Sequence, residues 1–206
     1  GEGVRETLER IKVHLPALEI KSVLSGTSAF DWEIPKEWSV NEAYIIAPNG
    51  EKLCDFKYNN LHLVGYSAAF EGDLELGELK KHLHTLPEQP DAIPYVTSYY
   101  EDCWGFCLTQ DEFDRLEDGK YHVKVDAKQF DGELNYAELI IKGKSAKEVF
   151  ISTYICHPSM ANNELSGPTV VCYLAKWLTQ KSHLDYTYRI VFIPETIGSI
   201  AYLSLN

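Results

Sequence analysis

The pattern of hydrophobic and polar residues predicts a helix and a strand at the start of the chain. Apolar residues recur at positions 4, 8, 11 and 15, the spacing of one helix face, so we expect a helix over residues 4–15. Pro16 ends this helix because proline cannot continue the helical hydrogen-bond pattern. A short strand is expected over residues 19–24.

In the middle of the chain, short β-like runs alternate with turns from about residue 25 to residue 132. The Asn49-Gly50 pair lies between two such runs, and Asn-Gly is the best short-range hairpin signal. Residues 121–130 alternate polar and apolar side chains, as a half-buried strand does. Residues 134–142 are the expected hairpin partner of that strand. The pattern therefore predicts mostly β structure in this region.

The last third of the chain predicts a strand, a helix and a second strand. Residues 149–155 are almost continuously apolar, which is typical of a strand buried on both faces. A helix is expected over 165–178 and a second buried strand over 188–193. Such a βαβ unit makes its two strands parallel. Residues 195–199 then begin another helix.

Together these patterns predict an α/β fold, a mixed sheet with flanking helices interrupted by a small, mostly β inserted domain. We place the α/β domain at residues 1–25 and 133–206 and the inserted domain at residues 26–132. The chain starts without methionine and ends inside its last predicted helix. We therefore expect an N-terminal fragment of a longer protein.

Composition narrows the classes of function. The 19 Lys and Arg residues against 31 Asp and Glu residues give a net charge of −12, which disfavours binding to the phosphates of nucleic acid. The apolar runs are much shorter than the roughly 20 residues of a membrane-spanning helix. The five cysteines are scattered without a CxxC pair, which predicts reduced thiols in a cytoplasmic protein.

Polar residues follow both predicted parallel strands, and the carboxyl ends of such strands are where α/β sheets bind ligands. His157 follows the first strand and Glu195 the second, so we expect both at one edge of the sheet. A converging imidazole and carboxylate suit metal binding or proton transfer. The alternative is a simple loop histidine and a glutamate that caps the next helix. Asn163 and Glu164, on the loop after His157, offer oxygen ligands or, alternatively, turn and capping groups.

The order of these segments resembles the zinc aminopeptidase superfamily. Typical members have a His at one strand end, Asp-Asn-x-Ser-Gly on the next loop and Glu-Glu-x-Gly after the following strand. This chain has His157, Asn-Asn-Glu-Leu-Ser-Gly at 162–167 and Glu-Thr-Ile-Gly at 195–198. Residues 30–38 and 99–107 are similar to a bacterial group of aminopeptidase-like proteins, often encoded near polysaccharide-biosynthesis genes, that carry an inserted β-rich domain.

The resemblance implies roles for individual residues. His157 matches a zinc ligand, and Glu195 matches the general base that activates the metal-bound water. Asn163 stands where the family has an aspartate that bridges two zinc ions, and Thr196 where it has a second glutamate. Because both replacements remove carboxylates, one zinc ion is the simpler expectation, and two zinc ions remain the alternative. Glu164 is a further candidate metal ligand. The resemblance implies that other ligands come from the insertion or from the part of the longer protein beyond Asn206.

Aromatic residues of the middle region and one cysteine are further candidates for chemistry. Tyr100 and Trp104 are expected in the core of the inserted region or, as substrate-binding residues, at the mouth of the site. Cys156 is not expected to form a nucleophile–base pair with His157, because neighbours on a strand face opposite sides.

We therefore expect a zinc-dependent aminopeptidase or amidohydrolase that hydrolyses a peptide or amide bond with metal-activated water. The expected partner is a peptide, an amino-acyl amide or a small glycan-linked substrate, and neither nucleic acid nor a membrane. We also expect self-association of the chain at an exposed sheet edge. The alternative is a degenerate peptidase-like module that binds a peptide or glycan, since Asn163 and Thr196 replace two carboxylates.

Overall fold

The structure is a computed structural model that describes residues 1–98, 101–157 and 159–206. Contacts divide the chain into two compact units, Gly1–Glu37 with Asp131–Asn206 and, separately, Trp38–Phe130. Residues 26–37 thus lie in the first unit. The inserted domain at residues 26–132 stays a prediction.

The described residues form helices and strands in the following order. The first segment contains α1 (Glu2–His14), β1 (Glu19–Leu24), β2 (Ser28–Ala29) and β3 (Trp32–Glu33). The middle segment contains β4 (Glu37–Ile46), β5 (Lys52–Leu53), β6 (Phe70–Glu75), α2 (Leu76–Leu79), β7 (Leu83–His84), β8 (Phe106–Cys107), α3 (Gln110–Asp114) and β9 (Lys120–Phe130). The last segment contains β10 (Glu133–Ile141), β11 (Ser145–Tyr154), α4 (Ala161–Thr179), β12 (Tyr186–Ile193) and α5 (Ile197–Leu205).

A mixed four-stranded sheet with the order β1-β10-β12-β11 forms the centre of the first unit. β10 runs antiparallel to β1 and β12, whereas β11 and β12 are parallel. On β12, Ile190 joins a core cluster with residues of α1 and α4, while its neighbour Val191 joins a cluster with residues of α5. Successive residues of a strand face opposite sides, so helices cover both faces of the sheet. The predicted mixed α/β sheet with flanking helices is confirmed.

The structure differs from two expectations about strands. β10 pairs with β1 and β12 instead of returning beside β9, and its residues 134–139 are all buried, as suits a central strand. β11 is an edge strand rather than a strand buried on both faces. Its Val149 and Phe150 side chains are 37% and 50% exposed. An apolar run indicates a strand but does not show what covers it.

The second unit is built on a sheet with the order β5-β4-β9-β6. β4 and β5 form the predicted antiparallel hairpin, and Gly50 in its turn has φ +86°, which glycine adopts without strain. On β9, Tyr121, Val123 and Val125 are buried, as the alternating pattern predicted. The mostly β character of this region is confirmed.

A buried carboxylate links several elements of the first unit. The Glu138 side chain is 3% exposed and accepts hydrogen bonds from Lys21 Nζ at 2.5 Å, Arg189 Nη1 at 2.5 Å and Tyr202 OH at 2.6 Å. Burial opposes ionisation of Glu138, but the three donors outweigh it and lower its pKa to about 2. The carboxylate therefore ties β1, β12 and α5 to β10.

Two expectations from composition can be compared with the structure. All five cysteines are free. Among the described residues, no helix has both the length and the apolar character needed to cross a membrane. The cytoplasmic location stays a prediction.

Candidate active site at the ends of two parallel strands

The two parallel strands end at the same edge of the sheet, and His157 and Glu195 follow them. β11 ends at Tyr154 and β12 at Ile193, directly opposite each other. His157 Nε2 lies 2.7 Å from Glu195 Oε2, and the two side chains are 12% and 49% exposed. The structure thus brings together the imidazole and the carboxylate that the sequence placed at one edge.

Glu164 reaches the same place from α4. The sequence put Asn163 and Glu164 on a loop, but α4 begins at Ala161, so both residues lie in its first turn. Glu164 Oε2 accepts the backbone N–H of Cys156 at 2.8 Å, and its Oε1 lies 4.0 Å from His157 Nε2. Asn163 is exposed. Its role as a metal ligand stays a prediction.

Cys156 is the site residue that sequence reasoning missed. Its Sγ lies 3.8 Å from His157 Nδ1 and accepts the backbone N–H of Glu195 at 3.2 Å. The expectation that Cys156 and His157 face apart does not hold, because the strand has already ended at Tyr154. A Cys-His pair just beyond a strand end was the available signal. Burial raises the pKa of the Cys156 thiol to about 11, which disfavours the nucleophilic thiolate. The expectation that Cys156 and His157 do not act as a nucleophile–base pair stays a prediction.

The donor atoms of this group suit a zinc ion. Ligand atoms of Cys156, His157 and Glu164 all lie within 4.8 Å of one another. Zinc binds cysteine sulfur, histidine nitrogen and glutamate oxygen in proteins. In the part of the chain that the structure describes, Glu164 Oε1 is the buried side-chain oxygen that lacks a hydrogen-bond partner. An unpaired buried carboxylate oxygen is what a cation would satisfy.

The backbone around the site is unusual at two non-glycine positions. Ser159 has φ +57° and Thr196 has φ +54°, in the left-handed region that costs about 1–3 kcal/mol for residues other than glycine. Thr196 is the N-cap of α5, so Glu195 lies outside that helix and is not its capping residue. Backbone held in a costly conformation next to Glu195 indicates that its position is constrained by its surroundings.

Gly167 lets α4 approach the sheet closely. A Cβ at this position would lie 2.5 Å from Thr153 Oγ1 on β11. Glycine therefore allows the helix turn that carries Glu164 to pack against the strand end.

The predicted substrate-binding residues belong to the second unit. Tyr100 lies outside the described residues. Trp104 stacks on Phe70 and on His82, with ring centroids 4.3 Å and 3.9 Å apart, and packs against the core of that unit. These contacts favour the core alternative for Trp104, and its contact with substrate stays a prediction.

Known structures define the class of fold. The zinc aminopeptidase BSAP of Bacillus subtilis superposes with a TM-score of 0.60 at 13% identity, over 93% of this chain and 55% of that protein. A peptidase M28 precursor of Shewanella amazonensis gives a TM-score of 0.60 at 11% identity, over 97% of this chain and 60% of that one. The chain therefore has an aminopeptidase-like fold.

Comparison of the whole sequence with known proteins identifies the family. The profile described as a domain of unknown function, DUF4910, matches residues 1–206, and the chain belongs to this family. A Clostridium acetobutylicum protein, named provisionally as a polysaccharide biosynthesis protein with an aminopeptidase-like domain, is 50% identical over all 206 residues. A crystal structure described provisionally as a peptidase from Clostridium acetobutylicum has a TM-score of 0.94 at 49% identity, over the whole of this chain and 48% of that one. The chain spans about half of these relatives, 47% of the first.

Proposed function

We propose that this chain contributes the active-site edge of a zinc-dependent aminopeptidase or amidohydrolase, which hydrolyses a peptide or amide bond. The observation that carries the proposal is the convergence of His157, Glu164 and Glu195 where two parallel strands end. The aminopeptidase-like fold supports it.

The residues divide into metal-holding and proton-handling groups. His157 and Glu164 would hold one zinc ion, because Asn163 offers a neutral amide that bridges two cations poorly. Zinc, when bound, supplies Lewis acidity that acidifies water and polarises the scissile carbonyl. Glu195, whose side chain is half exposed at this edge, accepts the proton of the attacking water on its carboxylate and delivers it to the leaving amine.

The expected substrate is a peptide, an amino-acyl amide or an amide attached to a glycan. The aminopeptidase-like fold supports the first two. The third takes support from the Clostridium relative, whose name places it in polysaccharide biosynthesis. The net charge of −12 makes nucleic acid a poor substrate.

Replacing Glu195 by Gln tests the proposal. The full chain is purified without chelator, and its bound zinc and its turnover of amino-acyl amides are measured. We expect Glu195→Gln to lower turnover by about 10²–10⁴-fold while bound zinc is unchanged. Glu9→Gln, on an exposed carboxylate of α1, is the control and should change neither quantity.

A second candidate function is a binding module that has lost activity. The observation in its favour is that Asn163 and Thr196 occupy two positions where the resembling superfamily has carboxylates. The binding-module function would be supported if the wild-type protein bound a peptide or glycan but did not hydrolyse amides.

For the hydrolase proposal, unchanged turnover in Glu195→Gln would show that Glu195 is not the general base.

A further inference from the structure

The Glu164 carboxylate has one satisfied oxygen and one unsatisfied oxygen. Oε2 accepts the backbone N–H of Cys156 at 2.8 Å, which fixes the orientation of the carboxylate. Oε1 is buried and has no hydrogen-bond partner among the described residues. Leaving such an acceptor unpaired is unfavourable, and more so when it is charged. The orientation that Cys156 imposes therefore leaves Oε1 available to a cation.

The neighbours of that oxygen are donors of two other kinds. Cys156 Sγ and a ring nitrogen of His157 lie within 4.8 Å of each other and of a Glu164 oxygen. The three residues reach this point from two directions, since Cys156 and His157 follow β11 and Glu164 starts α4. The group is thus assembled by the fold rather than by sequence neighbours alone.

We propose that Cys156 is a metal ligand, so that one zinc ion is held by sulfur of Cys156, nitrogen of His157 and oxygen of Glu164. The inference rests on the proposed function and deepens it, because it adds a thiolate that the resemblance to zinc aminopeptidases does not supply.

Charge balance supports this ligand set. A Cys156 thiolate and the Glu164 carboxylate supply two negative charges, the number that neutralises a divalent ion. Sulfur also favours zinc over oxygen-seeking cations such as magnesium and calcium.

Binding changes the thiol chemically in one step. The S–H bond of Cys156 breaks, a sulfur–metal bond forms, and the proton leaves to solvent. No electron is transferred, so the step needs no oxidant or reductant.

Cobalt(II) substitution tests the ligand directly and without an activity assay. The full chain is titrated with Co²⁺ while its absorption spectrum is recorded. We expect wild type to show a thiolate-to-metal charge-transfer band in the near ultraviolet. Cys156→Ser should lose this band and bind Co²⁺ at least about tenfold more weakly. Cys172→Ser removes another partly buried thiol in the same unit and should keep both the band and the affinity.

A second measurement uses the wild-type protein and so does not depend on how a variant folds. The cysteines are alkylated with and without Zn²⁺, and the modified peptides are quantified by mass spectrometry. Zinc should protect Cys156 while Cys103 and Cys172, which are also partly exposed, react as before.

The outcomes separate this inference from the proposed function. Cobalt binding without a charge-transfer band, or equal alkylation of Cys156 with and without zinc, overturns Cys156 as a ligand and leaves a site built on His157 and Glu164. Failure of wild type to bind either metal overturns the inference and the zinc dependence together.

Discussion

His157 Nε2 lies 2.7 Å from Glu195 Oε2, although 38 residues separate them in the sequence. The contact exists because β11 and β12 are parallel neighbours and both residues follow strand ends. The His157 side chain is 12% exposed and Glu195 is 49% exposed. The His157 side chain is therefore largely enclosed by the protein, while the Glu195 side chain faces solvent.

This exposure predicts that Glu195 contributes little to stability. We expect Glu195→Gln to leave the free energy of unfolding within about 1 kcal/mol of wild type, because ion pairs with an exposed partner are weak. Urea unfolding monitored by tryptophan fluorescence measures it. Wild type and variant are compared without added metal. A loss of several kcal/mol would make Glu195 a structural residue, and any loss of activity would then say little about catalysis.

The buried Glu138 carboxylate should make stability depend on pH. Its pKa in the folded protein, about 2, is below the usual 4.5, so ionised Glu138 stabilises the folded state above pH 4.5. That contribution is lost as the pH falls from about 4.5 to about 2, and its full size is ~3 kcal/mol. We expect Glu138→Gln to lose about this amount at neutral pH and to approach wild type as the pH is lowered in urea-unfolding measurements.

Glu148→Gln is the matched control for Glu138→Gln. Glu148 also accepts hydrogen bonds from Arg189, the shorter at 2.6 Å, but its side chain is 33% exposed. Solvent screens such a pair, so we expect Glu148→Gln to lower the free energy of unfolding much less than Glu138→Gln does. Equal losses in the two variants would contradict the assignment of the stabilisation to the buried carboxylate.

Much of the fold was predictable because helix and strand patterns are local. The first helix and strand, the Asn-Gly hairpin and the βαβ unit all follow from periodicity within short windows. The partners of strands were not predictable in the same way. β10 was assigned to β9 because the two are neighbours in sequence, whereas pairing in the sheet depends on which faces must be buried.

In the candidate site too, local sequence patterns predicted some side-chain positions but not those that depend on tertiary contacts. The rule for parallel strand ends was enough to place His157 beside Glu195. The sequence does not reveal Cys156, because the rule that strand neighbours face opposite sides does not hold for Cys156 and His157, which lie beyond the end of β11 at Tyr154. The direction of a side chain just beyond a strand depends on where the strand ends, and that position is set by tertiary contacts.

The close approach at Gly167 predicts a position-specific effect of alanine. Alanine is favoured over glycine in a helix by about 1 kcal/mol, but here its Cβ would lie 2.5 Å from Thr153 Oγ1. We expect Gly167→Ala to destabilise the protein by about 1–3 kcal/mol in thermal or urea unfolding, the usual cost of overpacking. Gly3→Ala, on α1 with nothing within 4 Å of the added Cβ, should be neutral or stabilising.

A double variant tests whether the clash with Thr153 is what destabilises Gly167→Ala. Thr153→Ala removes Oγ1, and the remaining Thr153 Cβ is 3.7 Å from the added carbon, an ordinary contact distance. In the Thr153→Ala background, Gly167→Ala should therefore be neutral or stabilising. If the losses of unfolding free energy in the two single variants simply add in the double variant, the clash with Thr153 is not the reason that glycine occurs at position 167.

The exposed edge strand β11 predicts self-association of this chain. An edge strand presents unpaired backbone groups, and here it also carries Val149 and Phe150 with large exposed fractions. We expect light scattering to show a mass that rises with protein concentration. Phe150→Lys should reduce this rise, because a charged side chain on an edge strand opposes pairing with a second chain. Val13→Lys, which adds the same charge at a 78% exposed position on α1, should not. A monomer at every concentration, or equal effects of the two lysines, would show that β11 is not the surface through which copies associate.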